Sequence, residues 1–168
     1  MTPSEAFVET LVAHGVRDIF GIAGSAYMDA MDLFPAAGIR LVSVAHEQNA
    51  AHMADGYSRV TGRHGVCVAQ NGPGVTNFVT AIAAAYWAHS PVVAITPEAG
   101  SMTAGLGGFQ ETDQLPIFSK ILAFWQVFGG KLPDEHCTIL GDVFQILLKN
   151  ESPFLCFRIG RICPDDVR

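Results

Sequence analysis

The feature of this sequence that most constrains its fold is a regular alternation of short apolar runs with helical patterns, joined by short links. Four apolar runs of strand length occur before residue 100: Asp18–Ile22, Ile39–Val44, Gly65–Ala69 and Pro91–Ile95. A helical pattern separates each run from the next, as in chains whose parallel strands are connected by crossover helices. The alternation predicts an α/β fold, a doubly wound, mostly parallel sheet with helices on both faces.

The helical segments are recognised by apolar spacing and by residues that start or end helices. The first helix is predicted to open at Thr2-Pro3-Ser4-Glu5, where Thr2 is an N-cap candidate and Pro3 suits the first helical position. Further helices are predicted over Met28–Phe34, from the His46-Glu47 junction through Arg59, over Val75–Ala88, over Gln110–Lys120 with a break near Pro116, and over Asp142–Lys149. A last strand is predicted at Phe154–Ile159.

Composition and charge exclude several classes of protein. Hydrophobic residues make up 49% of the 168 residues and charged ones 15%, which argues against disorder and for a well-buried sheet. The net charge of −6, without a basic cluster, argues against a nucleic-acid partner. No apolar run reaches membrane-spanning length, and no signal peptide is visible. Because the four cysteines form no Cys-x-x-Cys pair, we expect reduced thiols and a cytoplasmic protein without a membrane partner.

Three polar or glycine-rich segments directly follow predicted strands: Gly24-Ser25, His46-Glu47 and Gln70–Gly74. The carboxyl ends of parallel strands share one edge of the sheet, and open α/β sheets bind ligands there. We therefore expect these segments to converge on one rim. Each segment also has an ordinary alternative, since a glutamate in a first helical turn often serves only the helix dipole. His46 and His52 lack a third ligand and do not define a metal site.

Several ordered motifs resemble the pyrimidine-binding domain of thiamine-diphosphate enzymes: Asp18–Gly21, His46–Gln48, Ala51–Arg59 and Gly72–Asn77. Phe109-Gln110-Glu111 fits the acetolactate synthase branch of that family. Finer motifs resemble the sulfoacetaldehyde acetyltransferase family within this branch: Phe20–Ala26, Gln70–Gly74, Ala85–Pro91 and Gly107–Glu111. The resemblance extends from Ser4 to about Lys120.

The resemblance implies thiamine diphosphate as cofactor and Glu47 as the catalytic glutamate that hydrogen-bonds its pyrimidine N1′. A carboxyl group in a largely apolar site can share its proton with that nitrogen and so help to activate the thiazolium ring. Further cofactor contacts are implied for Gly72, Pro73, Gly74 and Asn77, because glycine lets the backbone approach a ring closely. The candidates for substrate contacts are Gly24, Ser25, His46, Phe109 and Gln110.

The resemblance also implies a partner. Enzymes of this family bind the diphosphate and Mg²⁺ on a second domain, through a Gly-Asp-Gly segment, whereas Gly141-Asp142 here is followed by Val143. We expect residues 1–168 to form a single pyrimidine-binding domain without metal ligands of its own. Such a domain would be incomplete until it pairs with a diphosphate-binding domain or subunit in a homo- or hetero-oligomer, a dimer or tetramer. The Val75–Trp87 helix is expected either at a subunit interface or in the core.

The implied reaction converts the small sulfonate sulfoacetaldehyde and phosphate into acetyl phosphate and sulfite. Two alternatives stay open from the sequence. The chain could be the small subunit of a decarboxylase acting on sulfopyruvate or another 2-oxo acid, or a truncated, non-catalytic domain. As a fragment of a longer enzyme, it would contribute only half of the cofactor site.

Overall fold

The computed structural model describes residues 1–97, 105–118, 124–127 and 154–159. Six strands form one sheet: β1 Asp18–Gly21, β2 Arg40–Ser43, β3 Gly65–Val68, β4 Val92–Pro97, β5 Phe124–Val127 and β6 Phe154–Ile159. Their order across the sheet is β2-β1-β3-β4-β6-β5. The first four of these neighbours run parallel, and β6 pairs antiparallel with both β4 and β5. The predicted mostly parallel sheet is confirmed.

The described helices are α1 Pro3–Ala13, α2 Met28–Met31, α3 Glu47–Thr61, α4 Pro73–Thr76, α5 Val79–Trp87 and α6 Gln114–Phe118, with a 3-10 turn at Ser25–Tyr27. The predicted start of α1 is confirmed as a capping box. The Thr2 hydroxyl accepts from the Glu5 amide at 3.2 Å, and the Glu5 carboxylate accepts from the Thr2 amide at 2.7 Å. Helix α3 ends at Gly62, whose φ of 67° is left-handed. Within the described ranges, no helix is long and apolar enough to cross a membrane.

Helices cover both faces of the sheet, as the doubly wound prediction requires. Successive strand residues point to opposite faces, so Phe20 and Cys67 pack in one cluster with residues of α3 and α5. Ile19 and Val66 pack in a second cluster with residues of α1. Both faces of β1 and β3 are therefore buried, which explains their continuous apolar runs.

Two predicted helices end early or divide for local reasons. The Met28–Phe34 prediction is corrected to α2, which ends at Met31. Beyond it the amide of Phe34 donates to the Met31 carbonyl, an i−3 bond, and Pro35 disfavours helical geometry at the residue before it. The single helix predicted over Val75–Ala88 is corrected to α4 and α5. The division at Asn77 escaped the apolar pattern because apolar residues continue on both sides of it.

The Gln110–Lys120 prediction is also corrected, since only Gln114–Phe118 is helical in the described part of this segment. Gln110 has a φ of 61°, which no right-handed helix accommodates. Pro116 lies inside α6 instead of breaking it, because the first amides of a helix have no intrahelical partner to lose. Lys120 and the helix predicted over Asp142–Lys149 lie outside the described residues.

The sheet topology fixes where a ligand can enter. From β1 the chain moves outward to β2 and then returns to β3 on the other side of β1, so the strand order reverses between β1 and β3. Open α/β sheets bind ligands at such a switch point, outside the carboxyl ends of the strands. The segments Ile22–Ser25 and Gln70–Gly74 follow these two strands and lie side by side at that edge.

Candidate functional site

Helix α3 starts at the switch-point rim and places Glu47 in its first turn. His46 is the N-cap, in extended geometry, and its Nδ1 accepts a hydrogen bond from the Gln48 amide at 3.2 Å. The Glu47 side chain is half-buried and lies at the positive end of the helix dipole. Because capping occupies Nδ1, His46 has only Nε2 left for a ligand.

Asn77 fixes the orientation of the Glu47 carboxyl group. The Asn77 Nδ2 donates to Glu47 Oε2 at 2.9 Å, across the two elements that follow β2 and β3. Asn77 can reach across because α4 ends there, where the Phe78 amide bonds to the Val75 carbonyl at 2.9 Å. The described residues place no cationic side chain in a salt bridge with Glu47, so its partner is a neutral amide.

The Gly72–Gly74 segment lies against the same carboxyl group. A Cβ atom on Gly74 would lie 3.4 Å from Glu47 Oε1 and 3.3 Å from the Cβ of Gln70. Gly72 has a φ of 65°, and a Cβ atom there would collide with the backbone carbonyl of Gln110. Pro73 is exposed at the first position of α4. Both glycines are therefore required by close approach, and they leave the backbone of this loop uncovered by side chains.

Gln70 connects the loops of the rim. Its Nε2 donates to Asn71 Oδ1 at 2.9 Å and reaches Gln110 Oε1 at 3.4 Å and Ser25 Oγ at 3.5 Å. Its Oε1 accepts from the Ala26 amide at 3.3 Å, and Asn71 Nδ2 donates to the Gln110 carbonyl at 3.2 Å. The predicted substrate candidates Ser25 and Gln110 thus meet through one uncharged network.

Tyr27 is a site residue that sequence reasoning missed. It is only 3% exposed, and its hydroxyl donates to the Ile22 carbonyl. Burial raises the pKa of Tyr27 to about 12, and the negative charge of Glu47 adds to the shift. The ring also lies 3.0 Å from where a Cβ atom on Gly24 would stand, so it packs under the rim as a neutral side chain.

The signals for the missed residues differ. Gln70 and Asn71 come directly after β3, so their position at the rim could have drawn attention to their side chains. Nothing in the sequence around Tyr27 distinguishes it from a core aromatic residue. Phe109 has the opposite outcome, because its ring is 92% exposed and is not brought into the site by the described part of the chain. Across the described ranges, no group of three His, Cys, Asp or Glu side chains could hold a metal ion.

The arrangement has a definite chemical capacity. One oxygen of the Glu47 carboxyl group is held by a neutral amide, and the other accepts no hydrogen bond from the described residues. A carboxyl group held in this way can share a proton with a ligand nitrogen, since no neighbouring cation keeps it ionised.

The fold and this rim define a class of protein that a comparison with known families identifies. Residues 1–117 match the family described as thiamine pyrophosphate enzyme, N-terminal TPP binding domain. The chain belongs to this family, as the motifs predicted.

Particular relatives are more informative about the branch. The chain is 69% identical to the sulfoacetaldehyde acetyltransferase of Alcaligenes xylosoxydans xylosoxydans, over 91% of this chain and 25% of that protein. It is 68% identical to the enzyme of the same name from Castellaniella defragrans, over 74% of this chain and 21% of that protein. A probable acetolactate synthase large subunit of Methanocaldococcus jannaschii is 43% identical, over 87% of this chain and 24% of that protein. The chain therefore spans about a quarter of the length of these relatives.

Proposed function

We propose that this chain is the part of a thiamine-diphosphate-dependent sulfoacetaldehyde acetyltransferase that binds the pyrimidine ring of the cofactor. The observation behind the proposal is the Glu47 carboxyl group, which has a neutral partner and faces a side-chain-free loop at the switch point of the sheet. The substrate is inferred from relatives of that name at 69% and 68% identity. The reaction would convert sulfoacetaldehyde and phosphate into acetyl phosphate and sulfite.

The residues present fit the cofactor. Gly72 and Gly74 leave backbone uncovered where a flat ring would lie, and their close contacts admit no side chain. Oε1 of Glu47 accepts no hydrogen bond from the described residues, so it is available to the pyrimidine N1′. Pro73 and Asn77 complete the proposed contacts, Asn77 through the carboxyl group that it orients.

Each residue of the chain has a distinct proposed role. When bound, thiamine diphosphate supplies the carbon nucleophile for attack on the aldehyde carbonyl. Glu47 holds a proton at Oε1 towards the ring nitrogen, and Asn77 keeps the carboxyl group in one orientation. Tyr27 stays neutral and adds no second charge beside it.

The substrate side of the proposal uses uncharged groups at the rim. The Ser25 hydroxyl and the Gln110 amide meet at Gln70, where they could donate hydrogen bonds to a sulfonate. Gly24, Nε2 of His46 and Phe109 remain proposed contacts by position. The assignment of Phe109 depends on a partner domain reaching its exposed ring.

A partner is part of the proposal. The diphosphate and Mg²⁺ would be held by a second domain or subunit, in a dimer or tetramer, because this sequence has no Gly-Asp-Gly segment. Helix α5 buries Ala81, Ile82 and Ala85 in the core, while Trp87 at its end is 75% exposed. Trp87 is thus the part of α5 proposed to contact a partner. A cytoplasmic location is proposed from the absence of Cys-x-x-Cys pairs.

The test uses the natural protein that contains this chain, supplied with thiamine diphosphate, Mg²⁺, sulfoacetaldehyde and phosphate. Sulfite and acetyl phosphate should appear in equal amounts, and both should disappear when thiamine diphosphate is omitted. Consumption of a 2-oxo acid with release of CO₂, and no reaction of sulfoacetaldehyde, would replace the proposal with the decarboxylase alternative. Failure of both reactions would indicate a non-catalytic domain.

A further inference from the structure

We propose that Glu111 is a positioning residue of this site. Its carboxylate holds the glycine-rich segment 105–108 in the conformation that fixes Gln110 against Gln70 and Asn71. The link to catalysis rests on the proposed function, whereas the link to loop conformation rests on the described contacts alone. The two links can therefore be tested separately.

The carboxylate of Glu111 is enclosed by backbone amides. The Gly105 amide donates to Oε1, and the Gly108 amide donates to Oε2 at 2.9 Å. These bonds from Gly105 and Gly108, with a further one from Gly107, hold the pKa of Glu111 below its ordinary value. Gly105 and Gly107 have φ values of 82° and 70°, a left-handed geometry that turns successive amides inward into an anion nest. The segment thus forms an anion site that its own carboxylate occupies.

Gln110 has a conformation that requires support from both sides. Its φ of 61° is rare for a residue with a side chain. On one side, the Glu111 amide donates to the Gly108 carbonyl at 3.0 Å and closes a turn around it. On the other side, its carbonyl accepts from Asn71 and packs over Gly72. Glu111 and Gly108 therefore form the outer half of the clamp that presents Gln110 to the rim.

The clamp acts on the site only through Gln110. The hydrogen bonds of the Glu111 carboxylate go to the glycine segment and to no residue of the rim. Gln110 in turn contacts Gln70, on the proposed substrate side, and does not contact Glu47. Loosening the clamp should therefore weaken substrate binding more than the proton-transfer step.

The first test replaces Glu111 by Gln in the natural protein and measures amide hydrogen exchange. Glu111→Gln leaves one acceptor and turns the other oxygen into a donor, which faces the amides of Gly105 and Gly108. We expect exchange over residues 105–108 to accelerate by about tenfold or more. Glu111→Asp keeps a carboxylate and should restore part of the protection. Glu9→Gln, on the exposed side of α1, is the matched control and should change nothing at 105–108. Unchanged exchange in Glu111→Gln would overturn the proposal.

The second test measures kinetics with sulfoacetaldehyde. In Glu111→Gln the KM should rise by about tenfold while kcat stays within about threefold, since only ground-state and transition-state binding in common is lost. Gln110→Ala should reproduce this rise. Faster exchange with an unchanged KM would overturn the positioning role. If the protein does not act on sulfoacetaldehyde at all, the exchange data still decide whether Glu111 holds the segment.

Discussion

Helix α3 carries two carboxyl groups in different surroundings, Glu47 at its start and Asp55 further along. Glu47 is half-buried and accepts from the neutral amide of Asn77. Asp55 is 6% exposed and accepts two bonds from Arg59, at 2.8 Å from Nε and 2.7 Å from Nη2. The same functional group thus meets a neutral partner at the rim and a cation in the body of the helix.

The partner decides what each carboxyl group can do. Burial opposes ionisation of Asp55, but the hydrogen bonds and charge of Arg59 outweigh it and hold the pKa of Asp55 below its ordinary value. Asp55 therefore remains charged and serves stability. Glu47 has no salt bridge among the described residues, so a ligand can change its protonation. The comparison separates a candidate catalytic carboxyl group from a structural one without using the name of any relative.

The largest expected effect follows from removing the proton-transfer capacity of Glu47. Glu47→Gln should lower kcat of the natural protein by about 100-fold or more, because an amide cannot exchange the proton. The thermal unfolding midpoint should change little. The new amide oxygen still accepts from Asn77, and the lost charge at the helix start is worth less than about 1 kcal/mol.

Steady-state kinetics and a thermal melt on the same preparation test this prediction. Turnover near that of the unchanged protein would remove Glu47 from the reaction. A large drop in the melting midpoint would instead make its role structural and erase the difference from Asp55.

The same chemical change at Asp55 should have the opposite profile. Asp55→Asn removes the charge that binds Arg59, and we expect the free energy of unfolding to fall by about 1–2 kcal/mol, because Arg59 itself is half exposed. The value of kcat should stay within about twofold. Urea unfolding and the activity assay measure the two quantities. A loss of kcat comparable to that of Glu47→Gln would show that the two carboxyl groups are not functionally separate.

The sequence was sufficient to predict the rim of this site. Apolar runs placed the strands, and the residues after each run placed Glu47, Gly24-Ser25 and Gln70–Gly74 at one edge, because strand ends are visible in a single sequence. The orientation of β6 was not predictable in the same way. Alternating strands and helices favour parallel pairing, and the antiparallel return of β6 depends on a connection that has no such pattern.

Tertiary contacts account for what the sequence could not predict at the site. Asn77 divides the predicted helix in order to reach Glu47, a residue 30 positions away in the chain. Tyr27 matters only because β1 and the start of α3 bring it near Glu47. Gln110 adopts a left-handed geometry that local preference disfavours, held by contacts with Asn71 and Gly72. These three residues depart from local preference where the site is assembled, as expected for functional positions.

The smallest expected effect is the pH dependence of the Asp55–Arg59 pair. Because the pKa of Asp55 in the folded protein lies below its unfolded value of about 3.9, the pair adds stability above that pH and loses it as the pH falls through the folded pKa. The free energy of unfolding of the unchanged protein should therefore fall more steeply below about pH 4 than that of Asp55→Asn, in which position 55 does not titrate. Urea unfolding from pH 6 downwards should show a difference between the two proteins that is constant at first and then narrows. A difference that stays constant through about pH 3 would mean that the folded protein does not favour the charged form of Asp55, and the contrast with Glu47 would then rest on geometry alone.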